Sequence, residues 1–466
     1  MIETESASLR FRLRALARAF AAGAQEVEAL TARGALSVGR PPRMVRPVAE
    51  RFVAAFAGRT RPRQREIVDF LLRDRSYENR KINTRGLQPL VRPLVWTTEA
   101  SRMHPVAAAA GWKIPSIETV RALADWLGIT LEELGWYCDL RTDERRDPAA
   151  PRHHYHYLLR NKAHGGVRLL EAPQATLKFL QREILRGILN HIPPYYSAAH
   201  GFVRGRSART YAAEHVGKRV VLRMDLEDFF PTISGRRVQA LFRTMGYPEA
   251  VADALGGLCT TITPRTVFSA ARWPMVNATQ LRTAQLLYAR PHLPQGAPTS
   301  PALANLCAHR LDCRLTGLAD WAGAVYSRYA DDIAFSGGDD VHRHIARYAT
   351  QIAVIAKEEG WQVQHRKTRV MRQGVQQSLA GIVVNAHLNV PRADFDALKA
   401  TLTNCVRHGP DTQNRERHHD FRAHLAGRVA WVRSLNDHKG QRLQALFERI
   451  TWPGADSKAS APTTLC

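Results

Sequence analysis

The chain has 466 residues, with 67 Lys and Arg against 42 Asp and Glu, a formal charge of +25 and a sequence pI near 10.5. Its length is material for roughly two to four domains, and 45% hydrophobic with 23% charged residues excludes wholesale disorder. The charge excess points to a polyanionic partner, nucleic acid before any other, while six scattered cysteines without a CxxC pair support neither a disulfide scaffold nor a zinc knuckle. Met1-Ile2-Glu3-Thr4-Glu5 opens acidic and no run of about 18 apolar residues occurs, so a cytoplasmic chain with no signal peptide and no membrane span is expected.

Residues 9–146 read as helical. Leu9, Leu13, Leu16 and Phe20 recur at helical spacing, and Ile67, Phe70 and Leu71 form a second stripe. Arg10, Arg12, Arg14 and Arg18, then Arg59, Arg61, Arg63 and Arg65, ride on these helices; such spacing suits a phosphate backbone and a solvated face equally. Residues 114–134 read as two short helices, with Thr130 and Glu133 spaced as a capping box. That stretch resembles the closing helices of repressor-type helix-turn-helix domains, but no recognition helix precedes it, and a packing unit is expected. The polar, proline-bounded run 143–151 is the linker. Beyond it helices and strands alternate to about Asn385. Residues 391–452 are helical again, with Phe395, Leu398 and Leu402 on one stripe and Phe421, Leu425, Val429 and Val432 on another.

Three constellations carry chemistry. In Arg219-Val-Val-Leu-Arg-Met-Asp225-Leu-Glu-Asp-Phe-Phe230-Pro231 a β-branched run reads as a buried strand that delivers Asp225 to its end, before Pro231 breaks the ladder. Taken alone, Asp225 is more often a turn or cap residue. In His292-Leu-Pro-Gln295-Gly296-Ala-Pro-Thr-Ser300-Pro301 a glycine that permits close backbone approach follows an amide, immediately before a helix start; as a lone string it is an ordinary proline-rich loop. In Val325-Tyr-Ser-Arg-Tyr-Ala-Asp331-Asp332-Ile-Ala-Phe-Ser336 two apolar stretches flank an acidic pair, as in a hairpin turn. Two carboxylates so close, with a third nearby, call for a cation, and hard oxygen ligands suit magnesium.

The three strings in this order resemble the reverse transcriptases of the bacterial retron and group II intron class. The resemblance runs from about His153 to Trp452 and implies an α+β right-hand polymerase, preceded by an all-helical extension. The boundaries expected are an extension at 1–146, fingers and palm at 152–390, a helical thumb at 391–452 and a tail at 453–466. It implies RNA-directed DNA synthesis by two-metal phosphoryl transfer, with two Mg2+ held by Asp225, Asp331 and Asp332. Lys162 and Arg168 would grip the triphosphate of the incoming dNTP, Gln295 and Gly296 would line the nucleotide pocket, and Phe230 would be the gate that excludes a ribose 2′-hydroxyl. Strict alternation along a strand puts Asp225 and Phe230 on opposite faces, so the gate requires the chain to turn before Pro231. Arg204 and Arg206, in Gly201-Phe-Val-Arg204-Gly-Arg206, and the thumb residues Arg415, Arg422 and Arg428 would meet nucleic acid.

Only 14 residues follow Trp452, which disfavours a further nuclease or integrase domain and points within the class to a retron enzyme. By resemblance such an enzyme uses a structured non-coding RNA as template and primer, yields a branched RNA–DNA product held partly as an RNA–DNA hybrid, and serves anti-phage defence with a possible protein effector. Two motifs depart from the retron pattern: Tyr211-Ala-Ala-Glu-His215 where NAxxH is usual, and Leu379-Ala380-Gly381 where VTG is usual, both expected to bear on recognition of the cognate RNA. The alternatives are another defence-associated reverse transcriptase without a retron RNA, a catalytically silent RNA-binding protein on the same scaffold, and a chain whose working end is the helical extension.

Overall fold

The computed structural model describes residues 13–39, 41–57, 62–74, 102–139, 154–161, 167–193, 197–269, 273 and 276–452. Lys162, the linker at 143–151, Leu9, Arg10, Arg12, Arg59, Arg61 and the tail at 453–466 lie outside the described residues. The chain forms two compact units, Met1–Pro193 with Phe230–Cys307, and Pro194–Phe229 with Ala308–Cys466.

In the first unit, helices at 13–21, Val27–Val38, Pro42–Ala55 and Gln64–Arg73 turn their apolar stripes onto one another. Leu13, Leu16, Phe20, Phe52, Ile67 and Leu71 bury in one cluster, which leaves Arg14 and Arg18 on the exposed face. Each such side chain contributes roughly 1.5–3 kcal/mol by leaving water. The helices Val120–Leu127 and Leu131–Cys138 follow, the second opened by the expected capping box: Thr130 N–H donates to Glu133 Oε2 at 2.8 Å and Glu133 N–H to Thr130 Oγ1 at 3.1 Å. Cys138 Sγ lies 3.2 Å from the Ala254 carbonyl, and a Cβ on Gly257 would sit 2.3 Å from the Cys138 carbonyl. This pair of helices is therefore docked on the helix Glu249–Cys259, as a packing unit. An antiparallel ribbon of β1 (Tyr155–Asn161) and β2 (Val167–Pro173) completes the unit, with Leu159 and Leu169 facing each other. Both pack onto Val267, Phe268, Ala284 and Tyr288.

The second unit is built on a four-stranded antiparallel sheet in the order β4-β5-β3-β6. Its strands are β3 (Val220–Asp225), β4 (Val325–Tyr329), β5 (Asp332–Gly337) and β6 (Arg369–Arg372). The short hairpin of β7 (Ser378–Leu379) and β8 (Ile382–Val383) turns at Ala380 and Gly381, with φ of 47° and 79°. Positive φ at both central residues is the two-residue turn whose twist suits a hairpin. Helices Arg392–His408, Phe421–Leu435 and Asp437–Glu448 then close over a core of Phe395, Leu398, Leu402, Leu425, Val429 and Val432, the stripes read from sequence.

Candidate active site

Asp225 ends β3, and antiparallel register sets it opposite Asp332, the first residue of β5. Residues directly opposite share a sheet face, as do residues two apart along one strand. Arg223, Asp225 and Asp332 therefore emerge together, while Leu222 and Met224 are buried on the other side. Asp331 lies in the turn between β4 and β5, which Tyr329 and Asp332 close, and its carbonyl accepts from Leu226 N–H at 2.8 Å. Pairing of β3 with β5 thus gathers the two acidic strings that the sequence separates.

The turn needs Ala330 at φ 58°, a conformation that costs a residue with a Cβ roughly 1–2 kcal/mol. Two contacts hold it. Arg328 Nη1 donates to the Ala330 carbonyl at 2.9 Å, from a fully buried guanidinium that also makes a bidentate pair with Asp312 at 2.7 Å on each arm. Tyr326 donates to the same carboxylate at 2.7 Å. From outside the sheet, Arg328 N–H donates to the Ala198 carbonyl and its carbonyl accepts from His200 N–H, both at 2.8 Å, and a Cβ on Gly201 would stand 2.4 Å from the Ala330 nitrogen. Only glycine fits there.

Each of two carboxylates faces its own cation. Arg223 Nε donates to Asp332 at 2.8 and 3.0 Å, and Lys367 Nζ to Asp225 Oδ2 at 2.9 Å. Burial pushes the Asp332 carboxyl up to about 6 against the pull of Arg223, and the like charges of Asp331 and Asp225 add to the rise. Among the described residues no group of three or more His, Cys, Asp or Glu side chains is gathered to hold a metal ion. The donor set itself suits a hard divalent cation: all carboxylate oxygen, with like charges that a cation would offset.

Sequence reasoning passed over Arg223, Lys367, Arg328 and Asp312. An arginine inside a buried strand, two residues before an acid, was the available signal for the first of them. His215 belongs to the Tyr211–His215 motif. It is fully buried, and its ring nitrogens lie 2.6 Å from Ser336 Oγ and 2.7 Å from Ser327 Oγ, so it ties β4 to β5 behind the acidic turn. That position fits support of the hairpin. Burial holds its pKa down to about 3, and the ring is neutral.

The expected nucleotide-side residues belong to the first unit, and each takes a definite place there. Arg168 is exposed on β2. Gln295 is half-buried, with its carbonyl accepting from Glu171 N–H of the same strand at 2.9 Å. Gly296, at φ 139°, lies so close to that strand that a Cβ would stand 2.8 Å from the Glu171 carbonyl. The chain does turn before Pro231, beginning at Glu227 and with Asp228 at φ 48°. Phe230 is half-buried and its carbonyl accepts from Ile233 N–H, whose own carbonyl accepts from Leu293 N–H. Phe230 and the Gln295 loop are thus joined through two main-chain bonds.

The basic residues differ among themselves. Arg204 is exposed, whereas Arg206 turns Nη1 inward to the carbonyls of Ser197 and Ala199, bracing its own loop. Arg415 and Arg428 are exposed in the C-terminal helical region, and Arg422 lies over the Trp452 ring at 5.9 Å. Arg428 lines a cleft of about 520 Å³ with Gly381, His424 and Trp431. Among the described residues no helix is long and apolar enough to cross a membrane.

Residues 159–394 match the family described as reverse transcriptase (RNA-dependent DNA polymerase). The chain is 40% identical over 341 residues to the retron Mx65 reverse transcriptase of Myxococcus xanthus, covering 72% of this chain and 73% of that protein. It is 33% identical over 364 residues to the retron Mx162 reverse transcriptase of the same organism, covering 75% and 69%. To the retron Ec86 reverse transcriptase of Escherichia coli it is 26% identical over 293 residues, covering 61% and 77%.

Proposed function

The chain belongs to the retron reverse transcriptases and is an RNA-directed DNA polymerase, and on that footing we propose that it copies a structured non-coding RNA, primed from that RNA, into branched RNA–DNA in the service of anti-phage defence. The observation that carries the site assignment is the register of β3 with β5, which sets Asp225 against Asp332 with Asp331 in the adjoining turn. Reverse transcriptases use divalent metal ions; here two Mg2+ would be held by Asp225, Asp331 and Asp332. When bound, such ions lower the charge barrier to in-line attack by the primer hydroxyl on the triphosphate. Asp225 and Asp331 would be the principal ligands in this reading, with Asp332 buried and both of its oxygens accepting from Arg223 Nε.

The chain's own residues supply the rest. Arg168, with Lys162, neutralises the triphosphate. Gln295 and Gly296 line the pocket by presenting main chain and amide, and Phe230 excludes the 2′-hydroxyl by bulk. Arg204 and the thumb residues Arg415, Arg422 and Arg428 follow the template–primer backbone, where each phosphate neutralised releases a counterion. In polymerase terms 152–390 are fingers and palm, 391–452 the thumb, 1–146 a helical extension and 453–466 a tail.

The test is to purify the protein with its bound nucleic acid and sequence both strands. DNA joined to a transcribed, structured RNA is the expected product. DNA with no RNA attached would favour a defence-associated enzyme that works without a retron RNA.

A further inference from the structure

Glu171 and His292 are both buried inside the first unit, at 0% and 1% exposure, with Glu171 Oε2 2.9 Å from His292 Nε2. His292 Nδ1 lies 2.7 Å from the Arg290 carbonyl, which can only accept, so Nδ1 carries a hydrogen. The contact at Nε2 then needs a second proton, on the ring or on the carboxyl, because two lone pairs would otherwise face each other. Thr263 Oγ1 donates to the other oxygen, Oε1, at 2.7 Å. The pair is net neutral and its bonds are complete. A well-packed apolar pair of similar volume is often as stable as a buried ion pair, so stability alone does not account for these residues.

Their main chains do something more specific. His292 exchanges two hydrogen bonds with Thr261, at 3.0 Å each, and stands three residues before Gln295. Glu171 N–H holds the Gln295 carbonyl, and its own carbonyl is the atom against which Gly296 packs. On β2 the Glu171 side chain points inward with Leu169, while Arg168 points out. We propose that the Glu171–His292 pair is a positioning device for nucleotide binding, which locks the Gln295-Gly296 loop to β2 and so sets the distance between that loop and Arg168. The inference rests on the reading of Gln295 and Gly296 as nucleotide-pocket residues.

The test measures dNTP KM and kcat separately, with template affinity and melting temperature, on the full chain. Glu171→Gln keeps every bond, since its amide donates to Nε2 and its carbonyl accepts from Thr263, and its KM is expected within about twofold of the parent. The double variant Glu171→Leu with His292→Leu is expected to fold, to raise dNTP KM about tenfold and to change kcat by less than about threefold. Should it not fold, Thr263→Val removes a single bond and carries the same expectation at about threefold in KM. An unchanged KM in the folded double variant, or in Thr263→Val when that stands in for it, overturns the proposal. So does a Gln variant as impaired as the Leu pair. Gln295→Ala, run alongside, is expected to raise KM; if it does not, the pocket reading itself fails, an outcome distinct from a failure of the positioning pair alone.

Discussion

In the second unit Asp225 and Asp332 stand opposite each other in strand register, each against its own cation, whereas in the first unit Gln295 and Gly296 are held to β2 by main-chain contact. The acidic group is side-chain chemistry on a rigid ladder. A slip of one residue would turn its carboxylates to the other sheet face. The Gln295-Gly296 group is backbone geometry beside a neutral buried pair, and it can be loosened by degrees. Loss of charge and loss of placement should therefore have different kinetic signatures in the two units.

The largest effect should come from the charges. Asp225→Ala or Asp331→Ala is expected to reduce RNA-templated primer extension by a factor on the order of a thousand or more, with RNA affinity nearly intact. Extension within tenfold of the parent by either variant would remove that residue from the site. Next comes the backbone beneath them. Gly201→Ala must displace the Ala330 nitrogen, and kcat should fall by on the order of tenfold to a hundredfold while dNTP KM stays near the parent value. A parent-like kcat would show that the acidic turn tolerates a shift.

Phe230→Ala probes the first unit. It is expected to admit ribonucleotides about tenfold or more better, relative to dNTPs, with dNTP turnover largely kept. Equal discrimination in a competitive incorporation assay would assign the gate elsewhere.

A last effect, on stability and not on catalysis, comes from pH. Folded His215 titrates at about 3 and an unfolded histidine near 6.5, so as pH falls the unfolded chain takes up the proton first. This share of stability is whole above about 6.5 and is lost toward about 3, at about 1.4 kcal/mol per pH unit. His215→Asn should flatten the dependence of unfolding midpoints on pH between 6 and 4, and parallel curves for the two proteins would refute the assignment.

Much of this was legible in advance. The run ending at Asp225, the paired aspartates, the Thr130 capping box and the helical stripes are local patterns, set by periodicities of two and of 3.6 residues, and each appears where it was read. The counter-ions were not legible. Arg223 and Asp332 are 109 residues apart in sequence, and Lys367 and Asp225 142 apart, so no local pattern joins them. Arg206 is a nucleic-acid contact by resemblance of its loop to a finger motif, and no local pattern shows that its guanidinium also braces the carbonyls of Ser197 and Ala199. His215 was read for its motif, but its burial between two serines is a property of the packed sheet.

By itself, then, the sequence determined the chemistry: the excess of positive charge, the three carboxylates that contradict it, and the family in which that combination occurs. Tertiary structure alone decided how those carboxylates are held. Packing of segments distant in the chain chose Arg223 as the partner of Asp332 and Lys367 as the partner of Asp225, and it made Gly201 and Arg328 the supports of the acidic turn. The physical reason is that periodicity reports which face a side chain occupies, while only the fold determines what is opposite that face.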